Sequence, residues 1–201
     1  MGLVRTLMDR DQINFEPALP PGLRELYDGN LHFGRSPAER LLVVANFVST
    51  LDGVVSFEIK GQAGGSTISD CDTADRFIMG LLRASADAII VGARTIEAVS
   101  PESLWIPEDT YPDAAHLYRE YRLNVLQKPE CPFLVIVSGT GSLGLDRAIF
   151  RTSGVRTVLI TTPGGADVLA KAGAARLPSV QIHAFEPKCG TISPSAILQF
   201  L

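Results

Sequence analysis

Three apolar runs in this sequence, Leu41–Val48, Ala88–Val91 and Phe133–Val137, with a fourth at Thr157–Ile160, read as buried parallel strands. A strand with one face in water alternates apolar and polar residues. Continuous Val- and Ile-rich runs are what a sheet covered on both faces requires. Helical patterns lie between them. Asp72–Ala84 sets Phe77, Leu81, Leu82 and Ala84 on one side and opens with Asp70, Asp72 and Thr73, short polar residues suited to cap a helix N-terminus. Thr95–Val99 reads as the first turn of another helix. Gly164–Ala175 reads as a helix after the Thr157 run, Val180–Phe185 as a further strand, and Thr191–Leu201 as a closing helix with Ser193 at its cap. Strands and helices in this order predict an α/β domain with a mostly parallel central sheet and helices on both faces.

Residues 1–40 contain Pro17, Pro20, Pro21, Gly22, Gly29, Gly34 and Pro37, interrupted by one short apolar stretch at Leu23–Tyr27. They are expected to be a Pro/Gly-rich leader draped over a single domain of residues 41–201, with regular structure starting at Leu41. With 201 residues, 46% hydrophobic and 20% charged, the chain is long enough to bury a substantial core. Its net charge of −4 offers no positive field for a nucleic-acid backbone or an anionic membrane, so any anion must be held locally. No apolar run approaches the roughly 20 residues that span a bilayer, and Met1–Asp11 does not resemble a secretory signal. A cytoplasmic location is the expectation. Cys71, Cys131 and Cys189 form no C-x-x-C pair, and His32, His116 and His183 are scattered, so neither a metal centre nor a hydrolase triad is expected.

Chemistry in open α/β sheets collects where strands end at their carboxyl side. The first such place is Asn46-Phe47-Val48-Ser49-Thr50-Leu51-Asp52-Gly53, although Asp-Gly is also a common turn and the dipeptide by itself reads as one. The second is Gly92-Ala93-Arg94-Thr95. A small-residue turn that opens a helix can present backbone N–H groups to a phosphate, with Thr95 adding a hydroxyl and Arg94 a charge, yet such turns also arise for steric reasons alone. The third is Val137-Ser138-Gly139-Thr140-Gly141-Ser142, hydroxyl residues among glycines, which suit a phosphorylated ribose and equally suit a plain turn. Thr161 and Thr162 repeat the theme at the next strand end. Arg83, near the end of its helix, can complement the helix dipole or hold a substrate phosphate in forked geometry.

These segments, in this order, resemble the reductase family that forms the C-terminal domain of bacterial bifunctional deaminase-reductases. The likeness rests on Asn46–Gly53, Gly64-Gly65-Ser66-Thr67-Ile68-Ser69 and Asp75-Arg76-Phe77. Above all it rests on Leu81-Leu82-Arg83-Ala84-Ser85-Ala86-Asp87-Ala88-Ile89-Ile90-Val91-Gly92-Ala93-Arg94-Thr95, with Val135–Ser138 and Leu159–Thr162 beyond. The resemblance implies a dihydrofolate-reductase-like fold and NADPH as reductant. As substrate it implies 5-amino-6-(5-phosphoribosylamino)uracil, a phosphorylated pyrimidine of riboflavin biosynthesis, whose ribosyl group is reduced to ribityl. It places Thr95 against the cofactor phosphates, Val137, Ser138, Gly139 and Thr140 around the adenosine phosphate, and Ser66 and Arg83 on the substrate. Asn46, Gly92, Ala93, Arg94 and Thr161 join the expected cofactor set from their strand-end positions, and Asp52 is the candidate for orienting the substrate or donating a proton. A homodimer is the assembly the resemblance suggests.

The chain also departs from that pattern. Ala98-Val99-Ser100-Pro101 follows the Gly-Ala-x-Thr turn where many relatives carry an acidic pair or a Tyr-Gly motif, and the chain stops before the family's later Glu-Gly-Gly segment, so its C-terminal part is expected to be missing. The deaminase signature H-x-E with P-C-x-x-C is absent. Two alternatives stand beside the riboflavin reading: a dihydrofolate-reductase-like enzyme of other substrate, and a degenerate, non-catalytic nucleotide-binding module.

Overall fold

Four strands pair in the order in which they occur along the chain, all parallel: β1 (Ala88–Gly92), β2 (Phe133–Ser138), β3 (Thr157–Thr161) and β4 (Val180–Ala184). The computed structural model describes residues 2–5, 7, 18–31, 33, 41–57, 59 and 65–201. His32 and Gly64, and Pro17, Gly34 and Pro37 of the leader, lie outside them. Two compact units make up the chain. The first comprises 1–55, 65–86 and 106–130, and the second 56–64, 87–105 and 131–201.

The second unit holds the sheet. Successive side chains point to opposite faces, and both faces are covered along β2 and β3, while Ile90 of β1 is 45% exposed. Leu134, Ile136 and Leu159 pack on one side against Ile96 of α4 (Ala93–Ala98), Ile149 and Phe150 of α7 (Ala148–Arg151) and Leu169 of α8 (Pro163–Lys171). Val135, Val158 and Ile160 pack on the other against Ile197 of α9 (Pro194–Phe200). Helix α8 begins one residue earlier than the pattern predicts. Thr162 occupies its N-cap, where the hydroxyl accepts from the Gly165 backbone N–H at 3.1 Å, and Pro163 sits in the first turn, where its missing N–H would have no partner anyway. Ser193 stands at the N-cap of α9, but its side chain makes no capping bond.

The first unit is helical: α1 (Pro21–Tyr27), α2 (Gly65–Ile68), α3 (Thr73–Ser85), α5 (Pro107–Thr110) and α6 (Ala115–Glu120), the last running into a π-turn at Tyr121–Val125. Asp72 caps α3 by accepting from the Asp75 N–H at 2.8 Å. Phe77, Leu81 and Ala84, spaced four and three residues apart, form its buried stripe, with Leu19, Leu23, Ala114, Tyr118 and Tyr121 around them. Tyr118 stacks on Phe77 and its hydroxyl donates to the Phe77 carbonyl at 2.9 Å. Only glycine fits beside it: a Cβ at Gly80 would lie 2.6 Å from the Tyr118 hydroxyl oxygen. Burial pushes the phenol pKa well up, so it remains a donor at any working pH.

Two expectations are corrected here. Regular structure starts before Leu41, because α1 lies inside the Pro/Gly-rich leader; Pro21 fits its first turn and Leu23 is fully buried. Leu41–Val48 is not a strand. It runs irregularly through the first unit, with Leu41, Leu42, Val43 and Val44 about half exposed and Phe47 82% exposed. An apolar run records what a strand would bury, but a strand exists only where a neighbour supplies the ladder, and the ladder is built from residues of the second unit.

The C-terminus of α3 is held by one fully buried side chain. Arg122, carried inward by the π-turn, donates from Nη1 to the carbonyls of Ala84 (2.8 Å), Ala86 (2.7 Å) and Arg83 (3.4 Å), and from Nε to those of Pro129 (2.9 Å) and Glu130 (3.1 Å). Lys128 adds a bond to the Ser85 carbonyl at 2.7 Å. The last carbonyls of a helix have no partner within it, and a cation there also complements the dipole. Arg122→Met is therefore expected to destabilise the protein by about 3 kcal/mol or more, because it strands several buried acceptors at once, as measured by urea denaturation.

Glu108 of α5 is the opposite case. Both of its carboxylate oxygens are buried without a hydrogen-bond partner among the described residues. Burial raises its pKa; its own backbone amide, Arg119 and Arg122 pull the other way, and Glu130 pushes further up. A carboxyl whose folded pKa lies above its unfolded value makes the folded state bind more protons, so stability falls as pH rises from the ordinary carboxylate range through the raised pKa. Thermal unfolding scans across that range are expected to show this slope flattened in Glu108→Gln, with the variant the more stable at neutral pH.

Candidate functional site

Parallel register brings three strand ends of the second unit level with one another. Gly92 of β1 lies opposite Val137 of β2, and Ser138 of β2 opposite Thr161 of β3. Parallel strands point their carboxyl ends the same way, so the turns after β1, β2 and β3 emerge along one edge. Of the expected cofactor residues, Gly92, Ala93, Arg94, Thr95, Val137, Ser138, Gly139, Thr140 and Thr161 are gathered there by adjacent strands.

Their side chains divide into two kinds. Thr161 is fully buried, and its hydroxyl donates to the Ser138 carbonyl at 2.6 Å; Ser138, 7% exposed, accepts from the Gly141 N–H at 3.1 Å through its own hydroxyl. Thr162 donates to the Gly139 carbonyl at 2.7 Å while capping α8. These hydroxyls shape the 138–141 turn from within. Gly92, Arg94, Thr95, Gly139 and Thr140 are exposed, and a Cβ built on Gly92 or Gly139 would meet nothing within 4 Å, so the backbone there borders open space. Behind the first turn, buried Arg147 donates to the carbonyls of Glu97 (3.2 Å) and Val99 (3.2 Å), and Glu97 accepts from the Gly144 N–H at 3.0 Å, which fastens the short helix α4.

The first unit carries Asn46, Asp52, Ser66 and Arg83. Asn46 is exposed, with its Nδ2 donating to the Met79 sulfur at 3.5 Å. Asp52 lies in a tight turn, Thr50–Val54, closed by Val54 N–H to the Thr50 hydroxyl (2.9 Å) and Gly53 N–H to the Thr50 carbonyl (3.0 Å), with Gly53 at φ +90°. The Thr50 hydroxyl also donates to the Asp52 carboxylate, which is exposed. Ser66 is exposed in α2, and its carbonyl accepts from the Cys71 N–H at 2.8 Å. Arg83 is partly buried; it donates from Nη1 to the Thr110 hydroxyl at 2.5 Å. Burial pulls its pKa down to about 10, opposed by the Asp109 carboxylate, so it stays charged at neutral pH.

Sequence reasoning singled out Gly141 but missed its close approach to Gly165, which makes the second turn close. Gly141, at φ +68°, and Gly165 pass so near each other that a Cβ on Gly165 would overlap the Thr161 hydroxyl and lie 2.9 Å from the Gly141 nitrogen. Thr162-Pro163-Gly164-Gly165 was the available signal, a hydroxyl cap followed by Pro in the first helical turn. Gly165→Ala is expected to destabilise the protein by about 1 to 3 kcal/mol through overpacking. Gly164→Ala, whose added Cβ meets nothing within 4 Å, should stay within about 0.5 kcal/mol. Equilibrium denaturation of the two variants compares them directly.

No helix among the described residues is long and apolar enough to cross a membrane. No curated protein matches the chain. A family model described as the RibD C-terminal domain matches residues 42–182, more than half of the chain, and takes in the turns after β1, β2 and β3 as well as Asn46, Asp52, Ser66 and Arg83. The family is dihydrofolate-reductase-like, in keeping with the parallel α/β sheet. The chain belongs to the RibD C-terminal domain family, the reductase family of riboflavin biosynthesis.

Proposed function

We propose that the protein is an NADPH-dependent reductase that converts the ribosyl group of 5-amino-6-(5-phosphoribosylamino)uracil to ribityl. The observation that supports this best is the alignment of Gly92, Val137–Ser138 and Thr161 at one edge of the sheet, with open space in front of Gly92 and Gly139. The donors present there fit a phosphorylated dinucleotide: backbone N–H groups around Gly92 and Ala93, the exposed hydroxyls of Thr95 and Thr140, and the Arg94 guanidinium. Asn46 completes the cofactor set in this reading. Val137 and Gly139 supply main chain, while buried Ser138 and Thr161 keep the turn in shape from behind.

When bound, the reduced nicotinamide supplies hydride to the sugar C1′ of the opened imine form of the substrate. Little else is asked of the protein beyond alignment, exclusion of water and one proton. Asp52 is assigned to orienting the sugar or donating that proton, with the Thr50 hydroxyl fixing its carboxylate. Ser66 and Arg83 are assigned to the substrate, Arg83 facing its phosphate as a forked donor. A location in the cytoplasm and assembly as a homodimer belong to the same proposal.

Titration with NADPH, followed by nicotinamide fluorescence, tests the cofactor half of the reading. Thr95→Val is expected to weaken binding by about 1 to 3 kcal/mol, the loss of one phosphate-directed hydrogen bond. An unchanged dissociation constant removes the turn after β1 from the site. NADPH oxidation with the ribosylaminopyrimidine phosphate, and not with dihydrofolate, selects the substrate.

A further inference from the structure

Two arginines of α3 converge on one residue of α5. Arg76 and Arg83 are seven residues apart, two helical turns, and so lie on the same stripe of the helix. Arg76 Nε donates to the backbone carbonyl of Thr110 at 3.1 Å, and Arg83 Nη1 donates to the Thr110 hydroxyl at 2.5 Å. That hydroxyl is itself aimed, since it donates to the Ile106 carbonyl at 3.0 Å, which turns a lone pair toward Arg83. Pro107 begins α5 and Thr110 ends it, so the residue sits on a rigid turn.

A long side chain such as arginine loses much rotamer freedom when it must meet a ligand in one geometry, and a group that already holds it reduces that loss. A threonine hydroxyl suits this task. It fixes one N–H by geometry, while the Asp109 carboxylate acts on the same guanidinium through its charge.

We infer that Thr110 is the positioning residue of Arg83, holding the guanidinium in the orientation that receives the phosphate of the sugar-phosphate substrate. This rests on the substrate role given to Arg83 above. It adds a residue outside every motif that carries the family likeness, and it assigns α5 a purpose: Thr110 does not touch the substrate and acts only through Arg83.

Ribose 5-phosphate is the probe, titrated into the full-length protein and followed by calorimetry, with KM and kcat for the ribosylaminopyrimidine phosphate measured alongside. Thr110→Val is expected to weaken ribose 5-phosphate binding about tenfold and raise KM by a similar factor with kcat little changed. Thr110→Ser, which keeps the hydroxyl, should return both to within about twofold of the parent. Arg83→Ala should lose at least as much as Thr110→Val, and the double variant should lose no more than Arg83→Ala alone, because the two residues act as one unit. Losses that add in the double variant, or an unchanged affinity in Thr110→Val beside a weakened Arg83→Ala, overturn the positioning role and leave the substrate role of Arg83 standing. Arg83→Ala binding the probe as tightly as the parent overturns both. Should Thr110→Val not fold, the Thr110→Ser and Thr110→Ala pair carries the same comparison, with full affinity in Thr110→Ala counting against the inference.

Discussion

Consecutive parallel pairing is the constraint on which the second unit depends. Once β1, β2, β3 and β4 are joined in that order, every connection must leave at a carboxyl end and return, and the turns after the strands are delivered to the same edge whatever residues they contain. The register then decides which residues become neighbours: Gly92 beside Val137, Ser138 beside Thr161. Burial on both faces keeps the register in place, because a slip by one residue would exchange the Leu134 and Ile136 face for that of Val135.

Within that edge, hydroxyl groups do two different jobs. Thr161, Ser138 and Thr162 commit theirs to main-chain atoms of the 138–141 turn and the start of α8, so these three hydroxyls are paired. Thr95 and Thr140 remain exposed. A turn held from behind can leave backbone and hydroxyl groups facing outward without collapsing onto them, which is the arrangement an anionic ligand needs. Gly141 and Gly165 make it compact, since two main chains meet where no side chain fits.

In the first unit the corresponding feature is the end of α3. Arg122 satisfies the carbonyls of Arg83, Ala84 and Ala86 from below, while the Arg83 side chain leaves the same turn to meet Thr110. One buried arginine thus anchors the backbone that presents the second. The two differ in surroundings: Arg122 donates to backbone carbonyls on two sides, whereas Arg83 holds a neutral hydroxyl near the Asp109 charge. Their sequence contexts, Leu-Arg-Ala and Tyr-Arg-Leu, carry no hint of that difference.

Local pattern was enough for what depends on local physics. Largely apolar runs located β1, β2 and β3 to within a residue, because strands packed on both faces leave little room for polar side chains, and Asp72 announced α3 because an N-cap needs a short acceptor there. The motif from Leu81 to Thr95 and its companions pointed to the family. Tertiary structure alone decided the rest. Leu41–Val48 has the composition of a core strand but lies irregular and exposed in the first unit, and α1 forms within a Pro/Gly-rich stretch because Leu19 and Leu23 find a core to enter. Only in three dimensions do Thr161 and Thr95 separate into an internal brace and an outward donor, or does Thr110 come to hold Arg83, 27 residues away. Pairing partners and solvent exposure belong to distances through space, and a sequence records only distances along the chain.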